Sequence, residues 1–423
     1  MSNVDLIKML NEQLKEPSSV VFLTGGAGVG KTTLLKKFVE DSDKSIIKLA
    51  TTGAAALLLG GSTIESALQI PPRVTNPLHD IEVIRRYEKR EAVKNADLIL
   101  IDEVSMLRPD KLDFIDFALR LNCNSQVPFA GKRLLLVGDL YQLPPVVTSS
   151  SILPDEYDTP FFFSAKVLKE VSFSTIELTK VYRQNDIKFI DALNSVRLGE
   201  ATIAHLDYLN LKVVKSAPSD AVTLAPYNES IFNLNKQKLS EIKDNLYQIT
   251  AEVEGKIGVN DFIVDKDLFI KIGARVVLTR NSMNGSYVNG SIGVVKDIDL
   301  DGPITVELDT GNDVEIQKEV WQKTESTFSI FYQRNEQKVI GTIKQYPIKL
   351  AWGISIHKSQ GATYDKAHID LGRGAFAAGQ LYVALSRLKS YEGLSLARPI
   401  RQDDIIVDQR INDFFKHSKI IRL

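Results

Sequence analysis

The stretch Gly25-Gly26-Ala27-Gly28-Val29-Gly30-Lys31-Thr32 decides how this 423-residue chain is read. The apolar run Val20–Leu23 precedes it and the helical pattern KTTLLKKFVED follows. A glycine-rich turn between a strand and a helix lets backbone N–H groups converge on phosphate oxygens at the positive end of the helix. Lys31 is placed to reach the outer phosphates and the Thr32 hydroxyl to coordinate magnesium. Gly25, Gly28, Val29, Gly30 and Thr33 complete the expected cradle.

Working outward, Leu98–Ile101 is a second apolar run, and it delivers Asp102-Glu103 to its end. After a phosphate loop, such a pair supplies a carboxylate for the metal shell, Asp102, and one to orient or deprotonate the attacking water, Glu103. A further run, Leu134–Val137, ends in Gly138-Asp139, with Gln142 before Pro144-Pro145; a glutamine there can sense the γ-phosphate. With Ile46–Ala50 these short buried runs alternate with helical patterns, which predicts a parallel α/β sheet with ligands at the carboxyl ends of its strands.

The second half alternates again at Ala221–Ala225, Ala367–Leu371 and Leu394–Ala397, with a helix-like stretch at Ala377–Leu388, but carries no second phosphate loop. It offers two arginines suited to transition-state charge, Arg183 in ELTKVYRQ and Arg387 in GQLYVALSR. Two segments differ in character. Pro71 to Asn95 is rich in arginine and lysine toward its end and reads as a small, partly helical insertion. Gly273 to Gln345 is rich in β-branched residues, and its Asn284-Gly285 and Asn289-Gly290 pairs mark tight turns of a small β insertion.

Composition narrows the class without naming the chemistry. With 44% hydrophobic and 25% charged residues the chain is neither disordered nor fibrous, and its length predicts two or three domains. No apolar run approaches the ~20 residues of a membrane span. The N-terminus has early acids and no uninterrupted apolar core, and Cys123 is the single cysteine. Both favour a reducing, cytoplasmic setting without a targeting peptide. The net charge of −1 leaves no global footprint for a polyanion, although a groove needs only local positive charge.

Eight ordered blocks, GGAGVGKT, LATTGAAA, GSTI, IDEVSM, GDLYQLPPV, ELTKVYRQ, ISIHKSQGATYD and GQLYVALSR, resemble superfamily-one helicases, and among them the Pif family of 5′-to-3′ DNA helicases (superfamily 1B). The stretch VSMLRPDKLDFIDFALRLN also resembles that family's signature. The resemblance implies an α/β fold of two tandem RecA-like domains, 1–180 with a wedge insertion at about 66–95, and 181–423 with an SH3-like β insertion at about 273–345. It implies ATP and Mg2+ as cofactors. Lys31, Glu103, Gln142, Arg183 and Arg387 would be catalytic, and Thr32 and Asp102 would hold the metal. Gly361 would touch the nucleotide; the chain shows no clear adenine-reading glutamine motif, and Gln13 is the candidate taken for that place. DNA contacts would map to Thr51, Thr52, Gly53, Ser62, Thr63, Pro144, His357, Lys358, Ser359, Gln360 and Thr363. Hydroxyls, backbone N–H groups and a few cations suit phosphate contacts that hold a strand without reading its bases.

The partners implied are single-stranded DNA and its junctions with duplex, with G-quadruplex DNA or RNA–DNA hybrids as further substrates. The protein would act as a monomer in DNA repair, recombination or telomere maintenance. One departure from the family pattern is Glu65 in GSTIESAL, where a histidine is usual. A DNA translocase subunit of a repair complex is the near alternative. A small-molecule kinase would be indifferent to DNA, and a nucleotide-switched binding module would have little use for the base Glu103.

Overall fold

The computed structural model describes residues 3–52, 55–56, 59–71, 77–146, 156–180, 186–218, 221–255, 257, 264–282, 285–287, 291–329 and 334–423. Of the residues singled out above, Gly53 and Arg183 lie outside these, as do Asn284, Asn289 and Gly290. The chain forms two compact units, Met1–Pro226 with Ser359–Leu423, and Tyr227–Lys358.

The first unit is built on a seven-stranded sheet. Its order is Ile420–Arg422, Phe173–Leu178, Val20–Gly25, Arg133–Val137, Leu98–Asp102, Ile46–Ala50 and Ser62–Thr63. Every neighbouring pair is parallel. The central strands are continuous apolar runs because helices cover both of their faces, and every residue of Val20–Gly25 is buried. Leu34, Leu35 and Phe38 of the helix Lys31–Glu40 pack into the core beside them. Val20–Gly25 therefore sits inside the sheet with its loop at the carboxyl edge, where Asp102 also emerges.

Three strands of this sheet, the two-residue Ser62–Thr63 among them, escape a reading of the sequence. Phe173–Leu178 mixes polar with apolar residues, and Ile420–Arg422 has only three residues. The latter returns from the far end of the chain to pair with Phe173–Leu178, as Ile421 beside Ile176. Three further strands of the same unit, Val222–Ala225, Ala367–Ile369 and Leu394–Leu396, also run parallel, with Ala367–Ile369 in the middle. Two parallel sheets with mixed helices is the architecture expected of RecA-like halves. The Pro71–Asn95 region carries the helices Pro77–Asp80 and Tyr87–Asn95. The run Phe161-Phe162-Phe163 goes to the core: Phe161 and Phe162 are fully buried and Phe163 stacks on Phe414 at 4.3 Å.

The second unit is antiparallel. Its five-stranded sheet contains Arg275–Leu278, Ile292–Ile298, Ile304–Leu308, Asp313–Ile316 and Ile348–Leu350. The long pair Glu319–Ser329 and Arg334–Gln345 continues with Glu252–Gly255, and Tyr247–Thr250 pairs with Asp267–Ile270. Strands of this unit thus precede Gly273 as well, at Tyr247–Thr250, Glu252–Gly255 and Asp267–Ile270. The first of its strands are short and polar, which hides them from a pattern search. Val276, Ile304, Val306, Ile316 and Tyr346 lie in its core. Among the described residues no helix is long and apolar enough to cross a membrane.

Candidate nucleotide site and DNA-contact residues

A cavity of about 290 Å³ opens at the carboxyl edge of the first sheet. Ala27, Gly28, Val29, Gly30, Lys31, Thr32 and Thr33 form one wall, with Asp102, Glu103, Gly138, Gln142, Gly361 and Arg387 around the rest. Gln13, which closes the helix Asn3–Gln13, is not among these lining residues.

The loop has its shape for steric reasons. A Cβ on Gly25 would come within 2.5 Å of the Leu178 carbonyl oxygen, so only glycine lets the two strands approach here. The Lys31 ammonium donates to the loop's own carbonyls, Gly25 O at 2.7 Å and Gly26 O at 3.0 Å. Burial pulls its pKa below the usual lysine value, against the pull of Asp139 and Glu103. A phosphate would meet a lysine already folded back along the loop.

Asp102 and Glu103 are held differently. Burial, then the neighbouring Glu103 carboxylate, pushes Asp102 up to about 7. The cavity thus holds two adjacent acids, and the Thr32 hydroxyl lines it with them. Among the described residues no three His, Cys, Asp or Glu side chains gather to cage a metal. The Thr32 hydroxyl and the Asp102 carboxylate are the oxygen donors on the cavity wall that a magnesium ion could use, since it keeps most of its shell from water and phosphate. Glu103 has φ +55, a left-handed conformation that costs a non-glycine residue free energy. Its backbone is tied down by the Thr51 hydroxyl, which donates to the Glu103 carbonyl at 2.8 Å.

The glutamine and arginine expected at the site are both buried. Gln142 is 6% and Arg387 4% exposed. Arg387 donates to the Val383 and Ala362 carbonyls and to the Ser386 hydroxyl. It sits one residue past the helix Gln380–Ser386, whose N-cap is Gly379. Gly379 has φ +75, and a Cβ there would meet the Gln142 and Tyr141 carbonyl oxygens at 2.5 Å. The backbone that leads to Arg387 therefore rests directly on the backbone that carries Gln142.

A buried network behind the loop was not foreseen. The Tyr382 hydroxyl accepts from the Ala27 N–H at 2.7 Å and donates to Asp139 Oδ2 at 2.8 Å. Arg197 Nε donates to Asp139 at 3.1 Å, and its guanidinium lies 4.7 Å from the centre of the Tyr141 ring. Tyr382 and Asp139 stand inside quoted blocks and so were within reach. Arg197, on the helix Ile187–Leu198, carries no local signal that separates it from a surface cation.

The expected DNA contacts are scattered over several elements. Thr52 Oγ1 accepts from the Ala55 N–H, and Thr63 caps the helix Ile64–Leu68 by accepting from Ser66 N–H. Ser62 is half-buried on the sheet edge beside Leu49, and Pro144 is half-buried too. Thr363 and Lys358 are exposed, whereas Ser359 is fully buried. His357 is half-buried, and burial lowers its imidazole pKa. Glu65, standing where a histidine is usual, pairs with Lys111 at 3.1 Å. Gln360 is the surprise: its carboxamide joins Glu103 and Gln142.

Residues 4–205 match the family model described as PIF1-like helicase. The ATP-dependent DNA helicase Pif1 of Bdellovibrio bacteriovorus is 34% identical over 94% of this chain and 88% of its own length. Among solved structures, Bacteroides Pif1 bound to single-stranded DNA superposes with a TM-score of 0.88 at 35% identity, covering 98% of this chain and 97% of that one. Pif1 from Bacteroides in complex with ADP-AlF3 and single-stranded DNA gives 0.87 at 36%, with the same coverage.

Proposed function

Because the chain belongs to the PIF1-like helicase family and is an ATP-dependent DNA helicase, we propose that it moves 5′-to-3′ along single-stranded DNA, with magnesium beside ATP, and opens duplex at junctions. The observation that carries this reading is the convergence of Lys31, Thr32, Asp102, Glu103, Gln142 and Arg387 on one cavity. Two RecA-like domains, 1–180 and 181–423, with insertions at about 66–95 and 273–345, are the division we assign. One copy is the acting unit in this reading, and the free Cys123 suits a reducing compartment such as the cytoplasm.

The chemistry follows from the side chains. The Lys31 ammonium exchanges the Gly25 and Gly26 carbonyls for the outer phosphates. Thr32 and Asp102 would hold magnesium, which would supply positive charge for the phosphates. Glu103 orients the attacking water and takes its proton, while Gln142 donates to the γ-phosphate. Arg387, with Arg183, meets the charge that develops as the bond breaks. Thr51, Thr52, Gly53, Ser62, Thr63, Pro144, His357, Lys358 and Thr363 are assigned to the strand, and Ser359, whose side chain is fully buried, only through its backbone. Hydroxyl and backbone contacts of this kind grip phosphates without base preference.

The test is strand separation with ATP and magnesium on two duplexes, one with a 5′ and one with a 3′ single-stranded tail. A G-quadruplex and an RNA–DNA hybrid behind a 5′ tail extend the series. Opening of the 5′-tailed duplex alone, abolished by Lys31→Ala, is the expected result. Opening of the 3′-tailed duplex alone refutes the polarity. If neither opens while DNA still stimulates ATP turnover, the chain is a translocase that works inside a larger complex.

A further inference from the structure

His357, Lys358, Ser359, Gln360 and Thr363 were expected to grip DNA, yet the side chain of Gln360 turns to Glu103 and Gln142. Its side chain is 7% exposed. The carboxamide nitrogen lies 3.2 Å from Glu103 Oε2, 3.2 Å from Ser105 Oγ and 3.4 Å from Gln142 Oε1. A carboxylate only accepts, so the amide of Gln360 must present its nitrogen, not its oxygen, to this cluster. Among the described residues, Gln360 supplies the side-chain hydrogen bond to the Glu103 carboxylate.

Two consequences follow from this placement. Glu103 is fixed at both ends, by the Thr51 hydroxyl on its carbonyl and by Gln360 on Oε2, which leaves Oε1 to take the proton of the attacking water. The Gln142 carbonyl oxygen faces the Gln360 amide at 3.4 Å and shares its two N–H groups with Glu103 and Ser105, which turns the Gln142 amide N–H groups to the cavity that Gln142 lines. A γ-phosphate is met by a donor, and this orientation supplies one. The remaining oxygen of Gln360 is buried without a hydrogen-bond partner. An acceptor left unsatisfied costs stability, so this placement of Gln360 is a poor choice for stability alone.

We propose that Gln360 is a positioning residue for ATP hydrolysis, one that sets the orientation of both Glu103 and Gln142, and not a DNA contact. The proposal rests on the assignment of Glu103 as the base and Gln142 as the phosphate sensor. It also gives the second half of the chain a way to complete the catalytic set without its own phosphate loop.

The experiment compares Gln360→Met, which keeps length without a donor, and Gln360→Asn, which keeps the amide but shortens its reach. Both are measured for DNA-stimulated ATPase at saturating DNA, for the KM of ATP and for the Kd of a single-stranded oligonucleotide by anisotropy. A misplaced base costs roughly 10²-fold, so kcat should fall by about 10- to 100-fold in both, with KM and Kd within about threefold. In a Glu103→Gln background, Gln360→Met should lower the residual kcat by a clearly smaller factor than in the wild type, because the share of its effect that runs through the carboxylate is gone and only the share through Gln142 remains. A merely structural role would lower it again by the same factor. Melting temperatures report whether either variant folds; if Gln360→Met does not, Gln360→Asn decides alone. A tenfold rise in Kd with kcat retained, or an unchanged kcat in both variants, overturns the proposal. If Glu103→Gln itself turns over at the normal rate, the assignment of the base has failed instead.

Discussion

Arg197→Met removes the buried cation behind the phosphate loop, and its cost can be worked from the contacts. Arg197 is 6% and Asp139 0% exposed, and their ion pair measures 3.0 Å. Once the guanidinium is gone, Asp139 keeps the Tyr382 hydroxyl at 2.8 Å and the Tyr141 N–H at 3.3 Å, both neutral donors. Taking one partner from a buried pair costs about 3–5 kcal/mol, because the charge left behind stays out of water. Two remaining donors place the expected loss near 3 kcal/mol. A unit of this size shifts by about 2 °C per kcal/mol, so the melting temperature should fall by roughly 6 °C. Asp139→Asn removes the charge and keeps an acceptor for Tyr382, so the double variant should be more stable than Arg197→Met alone. Calorimetric melts of the wild type, both singles and the double complete the cycle. A loss below ~1 kcal/mol for Arg197→Met, the value of an exposed pair, or simple additivity of the two changes, would refute the reasoning.

Two more outcomes are expected. Gly379→Ala forces a Cβ to within 2.5 Å of the Tyr141 and Gln142 carbonyl oxygens at φ +75, so it should destabilise by more than ~2 kcal/mol and lower ATPase kcat by shifting Gln142; normal melting and turnover would contradict it. Asp404 is pushed up by burial but pulled further down by the hydrogen bonds of Arg398 and of the Arg401 N–H, so its folded pKa lies below the ordinary 3.8. Its contribution to stability is therefore complete above about pH 4 and is lost as pH falls through the folded value. Urea melts from pH 6 to pH 2 should show a shallower acid loss in Arg398→Met than in the wild type, and parallel curves would refute this.

The sequence alone determined the phosphate loop, the acids that follow Leu98–Ile101 and the parallel α/β character of the chain, and the family followed from the order of its blocks. These features are legible because their physics is local. Eight consecutive residues hold the phosphate cradle, and a strand buried on both faces must be apolar along its whole length. Phe161 and Phe162 went to the core for the same reason of composition. The tertiary structure decided everything that depends on distant segments meeting. Gln360 lies 257 residues from Glu103 and 218 from Gln142, and Tyr382 lies 355 from Ala27. Nothing in a glutamine or a tyrosine says which buried acceptor it will find. Ile420–Arg422 shows the same limit in the backbone, since three residues carry no periodicity and become a strand only because Phe173–Leu178 offers an open edge. Hydrogen bonds reach about 3 Å and are indifferent to separation along the chain, so the partners of Gln360, Tyr382 and Arg197 are set by how the fold brings its surfaces together.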